Sequence, residues 1–274
     1  MHHAYKHKWS SFAGFTLVEL VVVIAVMGIL GGMSTIFIPR VMQGYANSET
    51  YFQLVDISDN ALRRIKRDIR NAVPNSVRIS SDGRIIEFLP ILHGGRYRNG
   101  PNALGGGNPL DFGTSNDSFD VLGPAVPQVS NGDGLVIYNM GIPGADVYSG
   151  DDYRALSTTG TNLSVLGFTG DPFPYPSPGR RFYIVNTATL YVCDAATNRL
   201  LMYTGYPVVA GLPASVADLA AYTPSIIAEF VGQCNFSLDN GVMQHSGVLS
   251  MTLQLTRNGA TVRLFHMIDL VNSA

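Results

Sequence analysis

Charged side chains are scarce in this chain. Lysine, arginine, aspartate and glutamate make up only 14% of its 274 residues, and the formal net charge is −2. A sequence so poor in charge has no global basic field that would attract nucleic acid or acidic lipid. We therefore expect no nucleic-acid partner.

The sequence also lacks the short motifs of common active sites. It contains no GxSxG, no HExxH, no P-loop and no CxxC, so the local signatures of several enzyme classes are absent. Five aspartates could supply oxygen ligands for Ca²⁺, but the EF-hand spacing is missing and turn-forming aspartate is the better interpretation. They are Asp117, Asp120, Asp133, Asp151 and Asp152. We expect no enzyme activity, no catalytic residue, no metal and no cofactor.

One segment is almost purely apolar. From Phe15 to Ile38 the run contains a single acid, Glu19. As a helix it would be about 36 Å long, enough to cross a hydrocarbon core of about 30 Å. A carboxylate there costs roughly 2.5–3.5 kcal/mol on insertion scales, so an intramembrane glutamate indicates a functional site.

The residues before this run form a short basic leader. The segment 1–14 carries Lys6 and Lys8 and no acid. A secretory signal peptide would have its cleavage site at small residues after the apolar region, and no such site follows Ile38. We therefore expect the apolar segment to be retained, with the leader on the cytoplasmic side of the membrane.

The junction between leader and apolar run matches a known pattern. Residues 14–19 read Gly-Phe-Thr-Leu-Val-Glu, which resembles the prepilin processing site of type IV pilins and type II secretion pseudopilins. The resemblance implies cleavage by a prepilin peptidase between Gly14 and Phe15, N-methylation of Phe15, and a role for Glu19 in subunit assembly. The alternative is an ordinary signal-anchor helix that happens to contain a glutamate.

The residue types in this motif suit that chemistry. Gly14 has no side chain to obstruct a protease at the membrane surface. Cleavage would free an α-amine on Phe15, which is cationic near neutral pH. Because this amine and the Glu19 carboxylate are both costly in lipid, each is stabilised by pairing with the other on an adjacent subunit. Such pairs would set the axial register of an open helical filament.

Beyond the apolar run the helix is expected to continue as an amphipathic element. Pro39 and Gly44 would break or kink it, and Pro74 would end it. Apolar residues recur at helical spacings, at Leu54, Ile57, Ala61, Ile65, Ile69 and Ala72. A basic group on the other faces indicates a solvated surface or a charged subunit contact rather than DNA binding, and Asp59 is expected to pair with Arg63. The group is Arg63, Arg64, Lys66, Arg67 and Arg70.

From residue 75 onward the pattern changes to strands and turns. Asp82-Gly83 and Asn258-Gly259 are two-residue hairpin signals. The glycine-rich stretch 94–120 and the proline-rich stretch 171–179 are expected to be irregular. Strands are expected at 76–80, 84–89, 135–140, 181–186, 190–193, 200–203, 249–256 and 261–270.

The sequence contains only two cysteines. Cys193 and Cys234 lie in the part that should face the oxidising side of the membrane. An even count there predicts one disulfide, which would close a loop of about 40 residues and stabilise the domain by ~3–4 kcal/mol in the chain-entropy model. Two free, buried thiols are the alternative.

These segments define four expected regions. A prepilin leader peptide occupies 1–14, a transmembrane helix with the N-methylation motif 15–38, an amphipathic helix extension 39–73, and a β-rich periplasmic or extracellular head 74–274. The expected fold class is α+β: a type IV pilin-like long N-terminal helix, transmembrane in its first half, with an antiparallel β-rich globular head.

A looser resemblance extends over the rest of the chain. Residues 67–78, 191–194, 231–234 and 262–266 are similar to minor pilins of the J or PilW type, above all those of the mannose-sensitive haemagglutinin (MSHA) pilus. This implies a minor pilin that joins a type IV pilus or primes its assembly. Two alternatives stay open: a J-like minor pseudopilin of a type II secretion system, and a membrane-anchored tip adhesin or binding module.

The same resemblance implies partners and a location. The partners are the prepilin peptidase, other minor pilins, the major pilin, the inner-membrane assembly platform and inner-membrane lipid. The protein is expected to span the inner membrane of a Gram-negative bacterium once, with its head in the periplasm. From there it would reach the pilus and the cell surface.

Overall fold

The computed structural model describes residues 14–113, 117–239 and 247–270. The chain divides into two compact units, the first ending at Thr50 and the second beginning at Tyr51. A helix, α1, begins at Leu17 in the first unit and ends at Arg70 in the second. It ends just ahead of Pro74, as predicted, because the residue before a proline avoids the α region.

The helix is continuous through Pro39 and Gly44, so of the two predicted outcomes, a break or a kink, the break is wrong. A proline inside a helix costs about 3 kcal/mol. Long helical segments flank Pro39 on both sides, and helix propagation adds a hydrogen bond for every residue fixed. These bonds offset the local cost.

In the part of the chain that the structure describes, sixteen short strands follow the helix. They are β1 (Arg78–Ile79), β2 (Ile85–Phe88), β3 (His93–Tyr97), β4 (Ser118–Leu122), β5 (Val126–Val129), β6 (Gly134–Val136), β7 (Tyr153–Leu156), β8 (Gly160–Leu163), β9 (Val165–Thr169), β10 (Arg181–Val185), β11 (Ala188–Asp194), β12 (Arg199–Tyr206), β13 (Ser225–Glu229), β14 (Val231–Asp239), β15 (Val248–Arg257) and β16 (Ala260–Asp269).

The strands form four antiparallel groups. One sheet has the order β1-β2-β11-β12-β13, and a second has the order β14-β15-β16. Six strands close into a small barrel in the order β10-β3-β4-β9-β7-β6, and β5 pairs with β8. An apolar N-terminal helix followed by an antiparallel β-rich head confirms the predicted α+β fold class.

Two hairpins form where turn residues predict them. The first joins β1 to β2 with Ile79 opposite Ile86, and Gly83 in its turn has a φ of 71°. The second joins β15 to β16 across Asn258 and Gly259, which have φ values of 51° and 81°. Positive φ at both central residues is what a two-residue type I′ turn requires.

The main core of the second unit lies between the last turns of α1 and the two open sheets. The predicted apolar stripe supplies fully buried side chains, among them Leu54, Ile65 and Ile69. They pack in one cluster with Tyr191 of the first sheet and Leu253 of the second. The helical spacing of three and four therefore identified the buried face correctly.

The barrel has its own core, which is filled by aromatic rings. Phe119 and Phe182 meet with ring centroids 5.5 Å apart, and Phe168 and Phe173 with centroids 5.2 Å apart. A Cβ on Gly95 would lie 2.7 Å from the Phe182 ring. Glycine is needed there because the ring lies directly over the backbone of the neighbouring strand.

The barrel corrects one sequence-based expectation. The stretch 94–120 is not irregular throughout, because β3 begins just before it and β4 begins at Ser118 inside it. The stretch 171–179 contains no strand, as expected.

Cys193 and Cys234 form a disulfide, with their Cα atoms 5.8 Å apart. This confirms the pairing and overturns the alternative of two free thiols. Cys193 belongs to β11 and Cys234 to β14. The bond therefore joins the two open sheets across the main core, where both residues pack.

Candidate assembly site

The first turn of α1 is fixed by Thr16. The backbone N–H of Glu19 donates to Thr16 Oγ1 at 3.3 Å, and the N–H of Leu20 donates to the Thr16 carbonyl oxygen at 3.2 Å. Thr16 is thus the N-cap residue, and its side chain satisfies one of the backbone donors that a helix start leaves unpaired. This role is not predicted above, although the Thr-x-x-Glu spacing of a capping box signals it.

Gly14 and Phe15 precede the helix. Both are exposed, and 77% of the Phe15 residue surface is accessible. The predicted scissile bond between them therefore lies in non-helical chain, which a protease can bind without unwinding a helical turn. The basic leader apart from Gly14 lies outside the described residues.

Glu19 occupies the third position of the helix. An acid in the first turn interacts favourably with the positive end of the helix dipole, by about 0.3–1 kcal/mol at exposed sites. Its carboxylate is exposed and forms no hydrogen bond or ion pair with any residue that the structure describes. The dipole contribution is smaller than the roughly 2.5–3.5 kcal/mol cost of placing a carboxylate in lipid, so most of that cost is not offset by the described part of this chain.

The helical segment around Glu19 is able to cross a membrane by length and composition. This segment, Leu17–Thr35, has none of its residues buried. The hydroxyls of Ser34 and Thr35 donate to the carbonyl oxygens of Leu30 and Gly32, both at 2.8 Å. Polar groups satisfied inside their own helix suit a hydrocarbon environment, where no water is present to bond them.

The segment from Phe15 to Thr35 exposes a large apolar surface. Phe15, Leu17 and Met27 each expose more than two thirds of their surface, and the apolar residues between them are also exposed. A contiguous apolar surface of this kind marks contact with a membrane or with another protein. Gly14, Phe15 and Glu19 therefore lie close together in sequence at one end of an apolar surface that indicates contact with lipid or with another protein.

The basic group near the end of α1 is partly neutralised by its own helix. Arg63 pairs with Asp59 at 2.6 Å, as predicted, and both Arg64 and Arg67 lie within 4 Å of a carboxylate oxygen of Asp68. The arginine side chains are largely exposed. This arrangement favours the solvated helix face that the sequence indicates.

The aspartates considered for calcium mostly serve local structure. Asp133 accepts from the backbone N–H of Ser130 at 2.7 Å, and Asp151 accepts from that of Gly144 at 3.0 Å. Asp120 pairs with Arg98 at 2.9 Å. Among the described residues no group of three potential ligands comes together to hold a metal.

Asp152 is the exception among these aspartates. It is fully buried, and neither carboxyl oxygen has a hydrogen-bond partner among the described residues. Burial, reinforced by the nearby charges of Asp146 and Asp151, raises the pKa of Asp152 to about 7.

Comparison with known proteins identifies the N-terminal segment. The family model for the prokaryotic N-terminal methylation motif matches residues 9–35. No curated protein and no solved structure matches the chain. The matched residues include the predicted processing site, Glu19 and the membrane-length segment Leu17–Thr35.

Proteins with this motif have a structural rather than a catalytic role. The motif implies processing by a prepilin peptidase and assembly with other pilins, and together with the apolar helix it fits a membrane-anchored protein. The chain thus carries, at its N-terminus, the motif that indicates a protein of the type IV pilin or pseudopilin class.

Proposed function

We propose that this protein is a minor pilin that joins a type IV pilus or primes its assembly. The observation that carries the proposal is the position of Glu19, an exposed carboxylate in the first turn of an apolar, membrane-length helix, with no partner among the described residues. The loose resemblance of the later segments refines it to a J- or PilW-type minor pilin similar to MshO of the MSHA pilus.

The proposed mechanism has three steps. A prepilin peptidase cuts after Gly14, the new amine of Phe15 is methylated, and the amine stays cationic near neutral pH. The Glu19 carboxylate of one subunit then pairs with the Phe15 amine of its neighbour. Because the pair replaces two unpaired charges in lipid, its free energy depends strongly on the axial offset between neighbouring helices.

The proposal assigns a function to each region of the chain. Residues 1–14 are the leader, 15–38 the membrane and filament helix, 39–73 its amphipathic extension, and 74–274 a periplasmic head. The partners are the peptidase, the assembly platform, the major pilin and other minor pilins of a Gram-negative inner membrane. The disulfide between Cys193 and Cys234 supports an oxidising location for the head.

The test is to change Glu19 while leaving the processing site intact. Glu19→Gln and Glu19→Ala chains should be cleaved and inserted in the membrane but should fail to support normal piliation, whereas Glu19→Asp should keep part of it. Ser34→Ala is the matched control, because it removes a polar side chain from the same span whose hydroxyl is satisfied within the helix. Normal piliation with Glu19→Ala would contradict the proposal.

The motif is also found in pseudopilins, so the two systems must be separated experimentally. A deletion strain of a minor pilin should lose pili and keep type II secretion. Loss of secretion with pili intact would assign the chain to a secretion pseudopilus. Loss of adhesion alone, with normal pili and secretion, would favour a tip adhesin.

A further inference from the structure

The β6–β7 loop, residues 137–152, connects two barrel strands and contacts the segment that follows α1. Asn139 donates from Nδ2 to the carbonyl oxygen of Pro74 at 2.8 Å. The Tyr148 hydroxyl donates to the carbonyl oxygen of Ser76 at 2.7 Å. These two hydrogen bonds join the loop to the backbone just beyond the end of the helix.

The two contact residues of the loop are bonded to one another through a short stretch of backbone. Asn139 Oδ1 accepts from the N–H of Val147 at 3.2 Å, and the N–H of Tyr148 donates to Asp146 Oδ1 at 3.1 Å. Val147 and Tyr148 are buried in one apolar cluster with Val73. We therefore expect Asn139 and Tyr148 to engage and release together.

Asp152 lies at the other end of the β6–β7 loop, where the chain enters β7. Its backbone carbonyl oxygen accepts from the N–H of Ile137, which directly follows β6, at 3.3 Å. The side chain of Asp152 is fully buried, and neither carboxyl oxygen has a hydrogen-bond partner among the described residues. A buried carboxylate is costly unless it reaches water or a partner, and the closed loop provides neither.

The surroundings of Asp152 favour its neutral form. Burial is the largest cause of its raised pKa, and the negative charges of Asp146 and Asp151 on the same loop add to it. Arg154 of β7 opposes the rise more weakly. The Arg154 guanidinium donates to four backbone carbonyl oxygens and lies 5.0 Å from the centre of the Phe173 ring. These contacts hold the cation in place without an ion pair to Asp152.

We propose that the β6–β7 loop is a proton-controlled latch between the barrel and the segment that follows α1. With Asp152 protonated the loop is closed, and Asn139 and Tyr148 bind the backbone of Pro74 and Ser76. Loss of the proton to solvent favours an open loop, in which the Asp152 carboxylate reaches water and both contacts are released.

The pH range of this latch follows from the two states of Asp152. Its pKa is about 7 in the closed loop, against an ordinary value of 3.8 where water reaches the group. The closed loop keeps a proton that the open loop releases. Opening therefore becomes easier as pH rises from about 4 to about 7, and the effect levels off above that range.

A buried thiol can report the opening of the loop in the solubilised full-length chain. Ala145→Cys places the thiol in the β6–β7 loop at a position that is 1% exposed, and both native cysteines are held in the disulfide. Its labelling by an aromatic disulfide reagent is measured from pH 5 to pH 8, with and without Asp152→Asn. The ratio of the two rates cancels the pH dependence of the thiol itself.

We expect this ratio to rise by about tenfold or more from pH 5 to pH 8, because Asp152→Asn cannot titrate. Ala228→Cys, at a position in β13 that is 2% exposed, is the control, and its ratio should stay constant. A constant ratio for Ala145→Cys would overturn the proposal. An equal rise for both thiols would also overturn it, because the whole domain would then be unfolding.

Hydrogen exchange measures the same opening without a reporter thiol. In the otherwise unmodified chain, peptides from residues 137–152 should exchange faster as pH rises, after correction for the intrinsic rate. Asp152→Leu should remove that rise, and it replaces Asp152→Asn if the asparagine variant does not fold. The same rise with Asp152→Leu as in wild type would reject the latch.

The contact with Ser76 is tested separately. Tyr148→Phe removes one hydrogen bond from the closed loop and should raise the labelling of Ala145→Cys roughly twofold to tenfold at every pH. Tyr138→Phe is the matched control, because that hydroxyl has no hydrogen-bond partner among the described residues. Equal labelling with the two variants would show that the Tyr148 contact does not hold the loop. All these measurements concern the head, so their outcome is independent of the proposed pilus function.

Discussion

The guanidinium of Arg78 lies 2.6 Å from the carboxylate of Glu87, whose side chain is completely buried. Arg78 also donates to the carbonyl oxygens of Val209 and Ala210, both at 2.7 Å, and lies 3.6 Å from the centre of the Tyr148 ring. One arginine therefore links the β1–β2 hairpin to two distant loops. Burial raises the pKa of Glu87, and the charge of Arg78 opposes that rise.

Removing Arg78 should be strongly destabilising. Arg78→Met leaves the Glu87 carboxylate buried without its cation, which typically costs about 3–5 kcal/mol of unfolding free energy. The double variant Arg78→Met with Glu87→Leu should recover most of that loss, because no buried charge remains. Thermal unfolding of the solubilised full-length chain measures both. Equal melting temperatures for the single and double variants would show that the buried charge is not the cause.

Asp152 should make the stability of the head depend on pH. Its pKa is about 7 in the folded protein, against an ordinary value of 3.8. Between these values the folded state keeps a proton that the unfolded state releases, so stability falls as pH rises from about 4 to about 7. Asp152→Asn cannot titrate, so its melting temperature relative to wild type should be higher at pH 8 than at pH 5.

The control for this prediction is Thr161→Ala, an exposed substitution in the same unit that adds or removes no titrating group. Its melting temperature relative to wild type should be the same at the two pH values. A constant offset between Asp152→Asn and wild type across the whole range would contradict the assignment.

Loss of the disulfide should weaken the contact between the two open sheets. Replacing Cys193 and Cys234 together removes a cross-link over a sequence separation of 41 residues. In the chain-entropy model this costs ~3–4 kcal/mol and should lower the melting temperature by several degrees. The double alanine variant is the cleaner test, because serine would place hydroxyls in an apolar core. Recovery of two alkylatable thiols from the native protein would show that the bond does not form in the cell.

Processing should require glycine at position 14. Gly14→Val places a branched side chain next to the scissile bond and should leave uncut precursor in the membrane. The wild-type chain should lose residues 1–14 and gain one methyl group on Phe15, which mass spectrometry of the extracted protein detects. Gly44→Val, in an open part of the helix, should be processed normally. An intact Met1 in the wild-type protein would refute the predicted cleavage.

The elements that the sequence predicts well are those specified by local chemistry. Asn258-Gly259 fixes a tight turn because both residues adopt positive φ without strain. The spacing of Leu54, Ile65 and Ile69 identifies a buried helix face because helical periodicity is a short-range property. The methylation motif is likewise local, since its residues are contiguous.

The barrel is specified by contacts that the sequence does not display locally. β3 contains two glycines, which locally indicate a loop. It is a strand because it pairs with the distant β10, whose Phe182 ring lies over Gly95. The count of cysteines predicts a bond between Cys193 and Cys234. It does not show that the bond joins two separate sheets, because that depends on how β11 and β14 pack across the core.

The position of Thr16 as N-cap has a consequence for maturation. Cleavage after Gly14 would remove no helical residue, and the acceptors for the first backbone donors would stay in place. The segment matched to the membrane would therefore keep its length. The change would be one of charge, because cleavage replaces the neutral amide nitrogen of Phe15 with a cationic α-amine at the positive end of the helix dipole. That end repels a cation by about 0.3–1 kcal/mol, so peptidase action would leave each subunit with a charge better accommodated by a neighbour than by its own helix.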